Sequence, residues 1–295
     1  MMRGFRAALA AFVLAAGTLP AAAEVTIPTQ DGWNDARQQV TLADGLNLAY
    51  VELGEGDGTP LILLHGYTDN SRSWSLVGPW LGERPIYALD LRGHGASDIP
   101  ACCYGLDSLA HDVLGFMDAL GIERADIVGH SLGSMTAGVV AGLAPERVEH
   151  LVLISSALKT PDGSGDWLWD EIPAMVHPVD PDGEFMQAWY ANPNPVDEDF
   201  LQHEMRESAS RPAEVWMGAL IGLTITDWTP IARRIEAPTL VFWGDQDGLF
   251  DAASQDALRA ALPEARFETF EGYGHNMFWE LPEQTGRMIS EFLAQ

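Results

Sequence analysis

The sequence predicts an α/β fold, a mostly parallel, doubly wound sheet with an inserted helical cap. Three observations lead there. Short apolar runs alternate with longer amphipathic segments along most of the chain, the pattern of parallel strands joined by crossover helices. One pair is diagnostic. The run Arg124-Ala125-Asp126-Ile127-Val128 leads into Gly129-His130-Ser131-Leu132-Gly133 and then a small-residue segment over 134–141, which reads as strand, sharp turn and helix. The rhythm breaks over residues 159–230, a stretch rich in Pro, Asp and Trp.

The chain opens with a basic start, Met1-Met2-Arg3-Gly4-Phe5-Arg6, an apolar run over 7–17 and a small-residue site, Pro20-Ala21-Ala22-Ala23. This is the pattern of a secretory signal peptide over residues 1–23, too short to span a membrane in the mature protein. A periplasmic or secreted chain is expected, with no later membrane segment. Residues 24–38 carry no clear element. A hairpin is expected over 40–53, turning at Asp44-Gly45. Strands follow at Leu61–Leu64, Ile86–Leu89, 126–128, 151–154, 239–243 and Arg266–Phe270, with helical patterns between them, as at 106–120 and 252–262. The core is thus expected over 24–158 and 231–295. Right-handed crossovers would bring functional groups to the carboxyl ends of the strands.

Ser131 is the candidate nucleophile. A serine on such a turn projects its hydroxyl from the top of the sheet, with a helix N-terminus beneath it. A serine hydroxyl needs a base, and the base needs an orienting carboxylate. The chain supplies both, in the order Ser, Asp, His. The strand at 239–243 ends in Gly244-Asp245-Gln246-Asp247-Gly248, and the strand Arg266–Phe270 runs into Gly272-Tyr273-Gly274-His275. His275 is the expected general base and acid, and Asp247 its orienter. Asp245 is the rival for the acid. The residue after the nucleophile, Leu132, is expected to give one oxyanion-hole amide.

These residues, with Leu61-Ile62-Leu63-Leu64-His65-Gly66-Tyr67 and Ala88-Leu89-Asp90-Leu91-Arg92-Gly93-His94-Gly95-Ala96-Ser97-Asp98, make the chain resemble the α/β-hydrolase fold superfamily from about residue 40 onward. The likeness is to its Ser-Asp-His esterase, lactonase and cofactor-free haloperoxidase-like branch. That resemblance implies a second oxyanion donor after the His-Gly pair, the amide of Tyr67. It implies a helical cap over 159–230. It also disfavours epoxide opening and halide displacement, since relatives with those activities carry Asp where this chain has Ser131. The implied activity is hydrolysis of a carboxylic ester or lactone through an acyl-enzyme. The same triad also serves carbon–carbon bond hydrolases and acyltransferases or perhydrolases. A non-catalytic binding module would need a broken triad, which this chain lacks.

Within 159–230, helical patterns are expected at 185–190, 197–208 and 213–221. Trp167, Trp189, Trp216 and Met217 are the expected roof of an apolar substrate pocket, with Trp169, Met175 and Met186 as further candidates. His94 and His130 are expected to pack rather than react.

The chain carries 43 acidic against 16 basic residues, a net charge of −27, and Lys159 is its only lysine. Such a surface excludes nucleic acid and anionic membranes as partners. No His, Cys or carboxylate set has metal-ligand spacing, so neither metal nor cofactor is expected. Composition leaves the oligomeric state open. The two cysteines, Cys102 and Cys103, are adjacent. In an oxidising compartment they can close a vicinal disulfide, stay free or bridge two chains. Their place after Arg92-Gly93-His94-Gly95 predicts a loop at the rim of the active site.

Overall fold

The computed structural model describes residues 26–295, so the expected signal peptide lies outside the described residues. Eight strands form one sheet in the order β1-β2-β4-β3-β5-β6-β7-β8. They are β1 (Arg37–Thr41), β2 (Asn47–Leu53), β3 (Leu61–Leu64), β4 (Ile86–Leu89), β5 (Ala125–His130), β6 (Val148–Ile154), β7 (Thr239–Gly244) and β8 (Arg266–Phe270). β2 runs antiparallel to both of its neighbours, β1 and β4, and the remaining pairs are parallel. Every residue of β3 and β5 is buried. Continuous burial is what a central parallel strand meets when helices cover both faces, and it is why these strands read as unbroken apolar runs.

The helices are α1 (Gln30–Asp35), α2 (Leu106–Ala119), α3 (Leu132–Leu143), α4 (Asp166–Ala174), α5 (Glu184–Trp189), α6 (Glu198–Ala209), α7 (Ala213–Ile225), α8 (Thr229–Ala232), α9 (Ala252–Ala261), α10 (Met277–Glu280) and α11 (Pro282–Leu293). Helix α3 is apolar or small on nearly every side, as a helix buried all round must be. It sits so close to the sheet that a Cβ on Gly133 would stand 2.2 Å from the Leu64 carbonyl oxygen. Helices α4–α7 form the cap between β6 and β7. The neck of the cap is closed by a bridge between Lys159 and Asp227, and Trp228 donates its backbone N–H to the Leu158 carbonyl at 3.1 Å.

Two elements depart from the sequence reading. Residues 24–38, expected to be irregular, contain α1 and the start of β1. Thr29 caps α1 by accepting from the Gly32 N–H at 3.1 Å, and buried Trp33 anchors it by donating to Ser71 Oγ at 3.0 Å. A single turn held by one tryptophan has no periodicity to detect. The second is α4, which carries Pro173 inside its last turn and lies within a Pro- and Asp-rich stretch that hides its pattern.

Gly133→Ala is expected to destabilise the fold by about 3 kcal/mol or more, because a backbone carbonyl cannot move aside for a Cβ. For a domain of this size that lowers Tm by roughly 6 °C or more. Gly248→Ala, where no atom lies within 4 Å of the new Cβ, is the control. Thermal unfolding of the two variants checks the difference.

Candidate active site

Ser131 stands between β5 and α3 at φ 52° and ψ −119°, a backbone region that non-glycine residues rarely adopt. Its N–H donates to the Ile154 carbonyl of neighbouring β6 at 3.0 Å, and its own carbonyl accepts from the Ser134 hydroxyl at 2.6 Å. The elbow is thereby tied to the sheet on one side and to the helix on the other.

His275 lies after β8. Its Nδ1 faces both carboxylate oxygens of Asp247, at 2.9 and 2.8 Å. Asp247 Oδ1 also accepts the N–H groups of Leu249 and Phe250 at 2.8 and 3.0 Å. A carboxylate with these three donors is fixed in place, and it leaves Nε2 as the free nitrogen of the ring. Asp245 is used differently. Its Oδ1 accepts from the Gly272 N–H at 2.7 Å, closing the turn that carries His275. The structure therefore brings Asp247, not Asp245, to the imidazole. Ser131 and His275 line one cavity of about 320 Å³. A smaller apolar recess of about 40 Å³ opens off the same serine, between Leu168, Leu220, Leu223 and Phe250.

Leu132 is the first residue of α3, where a backbone N–H has no partner within the helix. The opposing loop follows β3 and is held by two buried histidines. His65 accepts the Leu91 N–H at Nε2 (3.0 Å), so its Nδ1 carries the proton, donated to the Gly66 carbonyl at 2.8 Å. His94 accepts the Thr68 N–H at Nε2 (3.2 Å), with its Nδ1 on the Arg92 carbonyl at 2.9 Å. Burial pushes His65 down to about 4 and His94 down to about 3, so both are neutral and both tautomers are set. Between their attachment points lies Tyr67. Its hydroxyl donates to the Trp216 carbonyl at 2.5 Å, while its ring lines the cavity.

The cap closes on this same loop. Trp189 Nε1 donates to Thr68 Oγ1 at 3.2 Å, and the Tyr190 hydroxyl donates to Asp69 Oδ1 at 2.8 Å. Of the expected roof, Trp167 and Trp189 line the cavity. Trp216 and Met217 do not. Trp216 is fully buried behind Tyr67 and Trp189, its ring 5.5 Å from that of Tyr67. Met217 lies in an outer groove with Pro173, Met175 and Ile221. Helix α7 is apolar on almost all sides, so its sequence does not say which face meets substrate.

The cysteine loop also corrects an expectation. Cys102 and Cys103 are joined by a disulfide and exposed, but neither lines the cavity. The Cys103 carbonyl accepts from Arg92 Nη1 at 3.1 Å, and Tyr104 turns inward against Gly93 and Gly218 of α7. The loop thus braces the cap from outside and does not shape the rim.

Asp69, His130, Tyr190, Asn276 and Trp279 line the cavity and were not singled out as site residues by sequence. Asp69 sits in Thr68-Asp69-Asn70-Ser71, a composition that reads as a polar turn. His130 donates from Nε2 to the His275 carbonyl at 3.1 Å, and Ser155 Oγ reaches the same carbonyl at 2.7 Å.

Comparison with known proteins agrees with this geometry. A family model described as the alpha/beta hydrolase fold matches residues 59–282. The chain is 31% identical over 265 residues to a non-heme chloroperoxidase from Streptomyces lividans, covering 83% of this chain and 95% of that protein. It is 30% identical over 278 residues to a 2-hydroxy-6-oxononadienedioate/2-hydroxy-6-oxononatrienedioate hydrolase from Paraburkholderia phymatum, covering 85% and 92%. The crystal structure of a hydrolase from Pseudomonas aeruginosa PA01 superimposes with a TM-score of 0.78 at 27% identity, over 88% of this chain and 98% of that one.

Two outcomes are expected. Asp247→Asn should lower turnover of a chromogenic ester by about 10⁴-fold, as loss of a triad orienter does elsewhere, while Asp245→Asn should stay within about tenfold of wild type. Initial rates of the two variants decide the ranking. Non-reduced protein should take up no thiol-alkylating reagent and should run as a monomer mass, and reduction should leave ester turnover within about twofold. Intact-mass analysis and a rate assay with and without reductant check both.

Proposed function

The chain belongs to the alpha/beta hydrolase fold family and is a hydrolase, and from that premise we propose that it is an exported serine hydrolase of neutral carboxylic esters or lactones. The observation that carries this reading is the Asp247–His275 pair, at 2.8 and 2.9 Å, in one cavity with an elbow serine at positive φ. Ser131 Oγ attacks the acyl carbon and gives its proton to His275 Nε2. Asp247 holds Nδ1–H and offsets the charge of the imidazolium. The amides of Leu132 and Tyr67 receive the oxyanion. His275 then protonates the leaving alcohol, and water activated by the same ring cleaves the acyl-enzyme.

The cavity also argues for a neutral substrate. The Paraburkholderia relative is named for a dioate, but among the described residues no Arg or Lys lines this cavity, whose lining includes Asp69, Tyr67, Gln246 and Asn276. A carboxylate would lose its hydration there without a cationic partner. The 40 Å³ apolar recess beside Ser131 suits a short carbon chain on one side of the scissile bond. Export rests on residues 1–23, and the intact mass of the exported protein should begin at Glu24.

A short chromogenic ester should give burst release of its leaving group, and a fluorophosphonate probe should label the protein. Ser131→Ala should abolish labelling and lower turnover by about 10⁴-fold or more while folding normally. A carboxylate-bearing analogue should be a poorer substrate than its methyl ester. Labelling that persists in Ser131→Ala would overturn the nucleophile assignment.

A further inference from the structure

Two spaces meet at Ser131. The cavity of about 320 Å³ and the apolar recess of about 40 Å³ share Tyr67, Ser131, Trp189 and Leu249, so these four residues mark where one opens into the other. The inner wall of the recess is built by Leu168, Leu220, Leu223 and Phe250. The hydroxyls that also line it are spent on backbone carbonyls. Thr160 donates to Leu223 at 3.1 Å, Ser164 to Leu249 at 2.7 Å and Thr224 to Leu220 at 2.9 Å. Among the described residues, no polar side chain of the recess is left buried without a partner. An occupant therefore needs to offer only carbon. A water-sized group needs about 10–15 Å³ of such space, so the recess holds roughly three groups of methylene size. Leu220 and Leu223 lie about one turn apart on α7, and the Thr160 bond ties that turn to the neck of the cap, which holds the wall in place.

The two arms of an ester are not interchangeable between these spaces. The alkoxy oxygen must reach His275 Nε2 to be protonated as it leaves, whereas the acyl carbon stays on Ser131 until water arrives at the same nitrogen. His275 lines the larger cavity and not the recess. Phe250, on the recess wall, packs its ring in a T-shaped contact 5.4 Å from that of His275. An alcohol lodged in the recess would leave the acyl group in the larger cavity, across the path by which water reaches His275. An acyl chain in the recess clears that path as soon as the alcohol departs. We propose that the recess is the acyl pocket, that Leu168, Leu220 and Leu223 limit the acyl group to about four carbons, and that the larger cavity takes the alcohol. The substrate is then an ester of a short, unfunctionalised acid with a bulkier alcohol. The inference rests on the serine-hydrolase reading above, and it assigns the side of the scissile bond and the residues that select it.

The test varies one arm at a time. In p-nitrophenyl esters the alcohol is constant, and wild-type kcat/KM should fall by about tenfold or more from butyrate to octanoate. In butyrate esters the acyl group is constant, and 2-phenylethyl butyrate should stay within about threefold of ethyl butyrate. Leu223→Ala deepens the recess and should raise the octanoate-to-butyrate ratio by about tenfold or more. Leu223→Phe fills it and should lower the butyrate-to-acetate ratio by a similar factor. Neither should move the 2-phenylethyl-to-ethyl ratio by more than about threefold. Thermal unfolding and fluorophosphonate labelling report whether each variant keeps its fold and a formed active site. The two variants act in opposite directions, so either one that folds is decisive. A wild type that hydrolyses octanoate as fast as butyrate would overturn the size limit, whatever the variants do. Variants that shift the alcohol ratio instead would place the alcohol in the recess and overturn the assignment. Unchanged acyl ratios in a folded, labelled variant would overturn the subsite and leave the hydrolase standing. Wild-type protein that neither labels nor turns over any ester would overturn the underlying serine-hydrolase reading instead.

Discussion

The contact between α3 and the carboxyl end of β3 is the constraint on which the rest of the site depends. Ser131 occupies a backbone conformation that costs on the order of 1–3 kcal/mol for a residue with a Cβ. It persists because the surrounding packing leaves no alternative. Gly133 lies so close to the Leu64 carbonyl that the helix cannot slide, and the Ile154 carbonyl of β6 holds the serine's own amide. The same closeness puts the N-terminus of α3 beside the loop that begins at His65, one residue beyond Leu64. The two proposed oxyanion amides, of Leu132 and Tyr67, belong to segments that meet at this contact. One packing event therefore fixes the proposed nucleophile and the proposed donors together.

The loop after β3 is where cap and core become one object. Its polar groups point two ways. Toward the core, His65 and His94 clamp its backbone. Toward the cap, Thr68 and Asp69 receive Trp189 and Tyr190. The cap is thus attached at the loop that shapes the reaction centre, and a shift of α5 would be felt at the Tyr67 amide before it was felt at the serine. The disulfide loop, by contrast, meets the cap on its far side, through Tyr104 against α7.

What could be read in the sequence was what strand periodicity and chain order encode. Ser131 and Asp247 each follow a buried apolar run and His275 follows an alternating strand, so their places at the strand ends are legible in the sequence. The choice between Asp245 and Asp247 was less so, because it turns on which carboxylate leaves the turn toward His275, and that is a matter of two residues of backbone direction. The cap was legible as an interruption but not as a surface. Met217 and Trp216 are neighbours on a helix whose apolar character has no face, so composition could not separate the outer groove from the wall behind Tyr67. Asp69 and Tyr190 were invisible for another reason. Their meaning comes from a contact across 121 positions, and each alone reads as an ordinary turn or cap residue.

The protonation demands of the buried groups reveal how the site treats charge. His65, His94 and His130 are held neutral by burial, so their burial costs stability as the pH falls below their ordinary value of 6.5 toward their lowered folded values. Asp69 and Glu204 are pushed upward by burial, so their burial costs stability as the pH rises from their ordinary carboxylate range through their raised folded values. The two sets pull in opposite directions, and both favour the uncharged state between those ranges. Around the loop after β3, in a chain with a net charge of −27, burial disfavours the charged form of these supporting groups. A charge that appears there during turnover then meets fixed dipoles and the Asp247–His275 pair rather than a field of neighbouring carboxylates. In a low-dielectric enclosure that difference is large. The neutral histidines, and the acids whose charge burial disfavours, thus do for electrostatics what Gly133 does for geometry: they settle the surroundings of Ser131 before substrate arrives.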